Sequence, residues 1–182
     1  MKKIAAGLLA IAATAAAHAA PYAELALGQT SVADLDCTGA TTCKDKPTSF
    51  RLTGGWQYNA NLAAELSYVS FGTARAADAT DSVSAKARGF GIGAAATLPL
   101  GNQLGLVGRL GLMSVRTSAT ATSGAVSGST ATTKTKPYLG VGVTYDLNKA
   151  IGLGLNYDTT KAEIAGLKSD LNTLSLSAKY RF

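Results

Sequence analysis

The sequence is short of the residues on which site chemistry is usually built: it has one histidine, His18, and two cysteines, Cys37 and Cys43. His18 falls in an N-terminal stretch patterned like an export signal. Lys2 and Lys3 form a basic head, Ile4 to Ala13 an apolar run, and Ala17-His18-Ala19 a small-x-small cleavage site. Residues 1–19 are therefore expected to be a signal peptide, and a chain starting at Ala20 has no histidine. Without imidazole, and with only Asp34, Asp36 and Asp45 near the thiols, no metal site is expected. No catalytic or cofactor-binding residue is assigned, because none of the many serines and threonines has a base in an identifiable relation to it. The expectation is a protein that is not an enzyme.

Long apolar runs are missing as well. The leader's run is far short of the roughly 20 residues a helical span needs, and no later segment reaches that length. Charge is sparse, at 15% of residues. Once Lys2 and Lys3 leave with the signal, 15 of the 17 cationic residues remain against 11 acidic ones, too mild and diffuse a balance for nucleic acid. Residues 20–182 fit one domain. Cys37 and Cys43 lie six positions apart in a polar stretch of an exported chain, where the compartment favours a disulfide; two free thiols are the alternative.

What is present is alternation with period two. Leu174, Leu176, Ala178, Tyr180 and Phe182 share one face, opposite Thr173, Ser175, Ser177, Lys179 and Arg181. Ile151 to Asp158 and Tyr138 to Asp146 alternate in the same way, and five further strands are expected near 103–115, 87–98, 62–71, 48–58 and 21–30. Parity is weakest from Met113 to Val115, where a bulge or an exit from the membrane is expected. Tight turns at 59–61, 99–102 and 147–149 separate long polar loops near 31–47, 72–86, 116–136 and 161–170. In the last turn Asp146 is expected opposite Ala150. The uncharged Ser118 to Thr133 reads as a solvated loop.

Short turns alternating with long loops predict an all-β fold, an eight-stranded antiparallel transmembrane β-barrel with the long loops outside. The apolar face is assigned to lipid, because Gly, Ser, Thr and Ala on the other face suit the interior of a barrel this narrow. Aromatic residues divide into two girdles. Tyr22, Trp56, Tyr58, Tyr145, Tyr180 and Phe182 lie toward the tight turns; Phe50, Tyr68, Phe71, Phe90, Tyr138 and Tyr157 lie toward the loops. Charges on the inward face must be paired, so Glu65 and Arg109, with Arg51 as a further member, are expected to form an interior ion-pair network. Glu24 and Asp146 are expected to meet Lys179 and Arg181 near the tight-turn mouth. Such groups seal a lumen more readily than they gate it.

The ending Ala178-Lys179-Tyr180-Arg181-Phe182 resembles the C-terminal signature by which outer-membrane proteins are recognised for assembly, with Tyr180 and Phe182 as its aromatic positions. Gly54-Gly55-Trp56-Gln57-Tyr58-Asn59, running into Leu62-Ala63-Ala64-Glu65-Leu66-Ser67-Tyr68 and Phe71-Gly72, resembles the OmpA-like transmembrane domain family. Echoes of that family recur at Arg109-Leu110-Gly111 and from Lys136 to Tyr145. The resemblance implies a bacterial outer-membrane barrel. It does not extend to the peptidoglycan-binding domain that members often carry, so cell-wall anchoring is not carried over. Thr144 and Gly154 stand where members can have charged groups, so an inherited gating mechanism is not carried over either.

The expected role is envelope integrity or cell-surface interaction through the outer loops, with a narrow channel as the alternative and a lipid-modifying enzyme or protease as a more distant one. Expected partners are the assembly machinery, membrane lipid and lipopolysaccharide, and the expected state is a monomer; the ligand of any host contact is left open. Among the rim cations, Lys86, Arg88, Arg116, Lys134 and Lys136 lie nearest the strand ends and are the candidates for lipopolysaccharide phosphates.

Overall fold

The computed structural model describes residues 20–32, 42–44, 46–77, 81–123, 126–164 and 167–182. The expected leader over 1–19 and Cys37 lie outside them. Strands run β1 (Ala20–Val32), β2 (Thr42–Lys44), β3 (Thr48–Gln57), β4 (Leu62–Ala77), β5 (Asp81–Gly101), β6 (Leu104–Ser123), β7 (Val126–Asp146), β8 (Ile151–Ile164) and β9 (Leu167–Arg181). All pairings are antiparallel. β1, β3, β4, β5, β6, β7, β8 and β9 pair in succession, and β9 pairs back on β1, so eight strands form a closed ring. Short β2 adds to the outer end of β4, setting Cys43 opposite Ala76.

Closure follows from the chemistry of the outer face. Leu52, Leu66, Ile92, Leu110, Leu139, Val141, Leu155 and Leu176 are all exposed, forming an apolar belt that only lipid can cover. A ring leaves no unpaired backbone edge inside that belt. Two tight turns share one device: Asn59 Oδ1 accepts from the Asn61 and Leu62 amides, and Asn148 Oδ1 from those of Ala150 and Ile151, all at 2.8 Å. The third turn sits at Asn102 and Gln103, both at positive φ, as a two-residue hairpin turn requires. It lies beyond the expected 99–102, because a bulge between Pro99 and Gly101 carries the strand further.

Three expectations need correction. Stretches near 72–86, 116–136 and 161–170, read as loops, are largely strand, and Ser118 to Ser123 of β6 pair with Val126 to Ala131 of β7. Pairing is continuous through Met113 to Val115, with no bulge there; besides the one at Pro99 and Gly101, a bulge lies between Ser70 and Gly72, where Gly72 adopts φ 83. Asp146 faces Gly152 and not Ala150, a slip of two that preserves which face each side chain occupies.

Candidate functional site

The inward face is where the sequence concentrates its costly groups. Arg51, Arg109 and Lys179 are buried there, facing the buried carboxylates of Glu24, Glu65 and Asp158, so three cations meet three anions. Glu24, on β1, is the hub. Its carboxylate accepts from Arg109 Nη2 at 2.9 Å and from Arg51 Nη2 at 2.8 Å, with Lys179 Nζ 3.7 Å away. Arg109 Nε lies 3.2 Å from Glu65 Oε2, and its Nη1 donates to Asn156 Oδ1 at 2.7 Å. Arg51 is ion-paired to Asp158, and its Nη1 donates to the Tyr138 hydroxyl, which donates in turn to Asp158 Oδ1 at 2.6 Å.

Local geometry makes this convergence possible. Tyr22 pairs across from Gly55, and a Cβ at Gly55 would lie 2.0 Å from the Tyr22 ring. Only glycine lets that ring lie flat on β3. Its hydroxyl then donates to Glu65 Oε1 at 2.6 Å, while Lys179 Nζ sits 4.6 Å from the ring centroid. Gly140 similarly leaves room for the Asp158 carboxylate, whose Oδ1 would lie 2.3 Å from a Cβ there.

Next to the charges on the long-hairpin side lies an apolar layer: Val69, Phe71, Met113, Val115, Tyr138 and Leu171 pack together with Ala87 and Ala162. Between the layers is a 10 Å³ cavity bordered by Ser49, Arg51, Phe71, Tyr138 and Asp158, room for no more than about one water. At the tight-turn mouth Arg181 Nη2 meets Asp146 Oδ1 at 2.7 Å.

The structure thus brings together Glu65, Arg109 and Arg51, through Glu24 between the two arginines. Glu24 was expected at the mouth with Lys179; it reaches Lys179 but also binds both arginines. Tyr22, Phe71 and Tyr138 are not girdle residues but lie inside, while the other nine aromatic residues stay outside. Tyr180 and Phe182 remain on the outer face, 5.0 Å apart edge to face. Parity already held the signal: Tyr138 shares its face with Gly140 and Gly142, and Phe71 shares its own with Val69 and Glu65.

On the rim, Lys86, Arg88 and Arg116 point outward and are exposed, with Arg88 directly opposite Arg116. Below them Phe50, Tyr68 and Phe90 form a row with centroids 5.8 and 4.9 Å apart. Lys134 and Lys136 differ from this group. Their cross-strand partners are Val115 and Met113, which face the lumen, and both approach Glu163, at 3.9 and 2.5 Å. Among the described residues no group of three His, Cys, Asp or Glu side chains could hold a metal ion.

The chain matches the model of the outer membrane protein beta-barrel domain over residues 4–182. Several solved structures share its fold. Ail, the attachment invasion locus protein of Yersinia pestis, is 17% identical with a TM-score of 0.59, the match covering 90% of this chain and 99% of that one. Ail has also been solved in complex with the heparin analogue sucrose octasulfate. Neisserial surface protein A is 15% identical with a TM-score of 0.65, covering 89% and 97%. OprG from Pseudomonas aeruginosa is 16% identical with a TM-score of 0.54, covering 90% and 96%. No curated protein matches the sequence.

Proposed function

Because the chain belongs to the outer membrane protein β-barrel domain family, we propose that it stands in the bacterial outer membrane as a sealed scaffold, contributing to envelope integrity or surface interaction through its long-hairpin end. One observation carries this reading: the lumen is filled by a charge-balanced network and closed on one side by an apolar layer. A hydrated ion passing through would have to displace Phe71, Met113 and Tyr138 and then break ion pairs at Glu24. The long hairpins face outward, the signal is removed before Ala20, and Tyr180 and Phe182 mark the last strand for assembly. The name of Ail and its complex with a heparin analogue lend support to a surface role.

A second observation favours lipopolysaccharide as a membrane partner. Lys86, Arg88 and Arg116 cluster on the outer face directly beyond an aromatic row, the level at which headgroup phosphates lie. Like charges directly opposite each other on a sheet are destabilising, and an anion shared between Arg88 and Arg116 offsets that cost. Lys134 and Lys136 are left out of this surface.

Planar-bilayer recording of the refolded full chain tests the sealed reading. No conductance steps above the lipid baseline are expected. Reproducible steps from the wild-type barrel would overturn it in favour of a narrow channel.

A further inference from the structure

An arginine taken out of water has five N–H donors to satisfy and no acceptor of its own. Arg51 is 5% exposed, and its two terminal nitrogens are held by residues of three other strands: Nη1 by Tyr138 on β7 and Asp158 on β8, Nη2 by Glu24 on β1. These bonds fix the plane of the guanidinium and with it the direction of the Nε–H. Yet Arg51 Nε has no partner in the protein, in contrast to Arg109 Nε, which lies 3.2 Å from Glu65 Oε2. Ser49 Oγ and Ser175 Oγ are equally buried and equally unpartnered.

The three atoms belong to one place. Arg51, Ser49 and Ser175 all border the 10 Å³ cavity between the charged and apolar layers. Thr53 Oγ1 and Thr117 Oγ1 also lack a partner but do not border it. Register explains the convergence: Ser49 on β3 and Ser175 on β9 are the two cross-strand partners of Gly28 on β1, and Arg51 follows Ser49 by two positions on the same inward face. Gly28 places no side chain between the two serines, and none fits. A Cβ there would lie 2.1 Å from the Leu174 carbonyl oxygen and 2.7 Å from Ser175 Cβ.

We infer that this cavity is a binding site for a single water molecule, which accepts from Arg51 Nε and joins Ser49 Oγ to Ser175 Oγ. A buried water requires two to four polar partners and room for one molecule, and the cavity supplies both. An ion suits it badly. Asp158 borders the same cavity, and three interior cations already balance three carboxylates, so a halide would leave a net negative charge in a dry interior. A metal cation would face the Arg51 guanidinium. A neutral molecule that both donates and accepts matches all three atoms. The water also joins β3 to β9 across β1, so its site is complete only in the closed ring. The inference rests on the sealed-lumen reading and adds to it a ligand that the seal encloses.

Two measurements on the full refolded chain test it. Crystals grown with bromide in place of chloride should show a solvent peak within about 3.2 Å of Arg51 Nε, Ser49 Oγ and Ser175 Oγ, with no anomalous bromide signal there. In lipid nanodiscs, NMR cross-relaxation from water should reach Arg51 Hε and not Arg109 Hε, which is paired to Glu65. Ser49→Ala combined with Ser175→Ala removes two of the three partners, so the Arg51 cross-peak should become at least about threefold weaker. A variant that fails to fold leaves the wild-type density and the Arg109 control to decide. An anomalous peak would assign the cavity to a halide and overturn the water. So would serines paired to each other or to the wall with no density between them, or a cross-peak without density, which belongs to hydroxyl exchange. Equal cross-peaks at Arg51 and Arg109 would mean a generally wet lumen and no discrete site. These failures in an electrically silent barrel leave the scaffold reading standing, whereas a conducting barrel removes that reading by itself.

Discussion

Replacing Glu24 with glutamine removes one charge and little volume from the centre of the barrel. The wild-type network balances Arg51, Arg109 and Lys179 against Glu24, Glu65 and Asp158; the variant leaves three cations facing two carboxylates. Glu24 is 1% exposed, so water cannot replace the lost charge. Breaking a buried ion pair from one side costs about 3–5 kcal/mol, and Glu24→Gln should fall in that range. Glu65→Gln should cost less, since among the interior cations only Arg109 lies within ion-pair distance of Glu65. Lys179→Met in the Glu24→Gln background restores balance, so the double variant should be more stable than the sum of the single changes by about 1–3 kcal/mol. Urea unfolding in lipid vesicles, followed through the single tryptophan Trp56 in the girdle at the tight-turn end, measures the wild type, the three single variants and the double variant. A Glu24→Gln barrel within about 1 kcal/mol of wild type, or strict additivity with Lys179→Met, would refute the charge-balance reasoning.

Lys86→Ala, Arg88→Ala and Arg116→Ala combined should abolish any salt-sensitive preference for bilayers containing lipopolysaccharide, measured by binding at low and high salt; an unchanged preference leaves the cluster as solvated charge. Protease added to intact cells should cut only in the long hairpins, and cleavage at Asn148 without permeabilisation would reverse the proposed orientation. Non-reduced protein taken directly from the envelope should show a mass lower by two hydrogens for a Cys37–Cys43 bridge, whereas finding both thiols alkylatable defeats the bridge.

Alternation carried the fold because a lipid-facing strand has to be apolar at every second position, as in Leu139, Val141 and Val143. Above the lipid that requirement lapses. The Ser, Thr and Ala of 116–133 therefore lose the pattern while keeping the ladder, which is why long strands read as loops. Glu65 and Arg109 were legible as partners because local register sets both inward at similar height. Glu24 was not legible as the hub, since its meeting with Arg51 and Arg109 depends on how the ring closes and not on any nearby stretch of sequence. Tyr22 and Tyr138 were misplaced because an aromatic near a strand end suggested a headgroup anchor, although parity pointed each ring inward to a carboxylate.

Ring closure has a kinetic side. Leaving aside short β2, which lies outside the ring, every junction of the barrel except one joins strands that follow each other along the chain; the exception is the seam of β1 with β9, where Thr30 and Thr173, 143 residues apart, meet hydroxyl to hydroxyl at 2.8 Å. Bringing such distant ends together costs about 3 kcal/mol more loop entropy than forming a tight turn, unless the intervening hairpins have already zipped and curved the sheet. The hairpins should thus assemble first and the seam last, with the bare edges of β1 and β9 the final part of the chain to find partners. Once closed, the seam leaves both ends side by side, with the Phe182 amide on the Pro21 carbonyl at 3.1 Å. The ring therefore has no structurally privileged starting strand: a chain joined across Pro21 and Phe182 and reopened at Asn102 would trade its slow seam for the one between β5 and β6 and reach the same barrel by a different order of events.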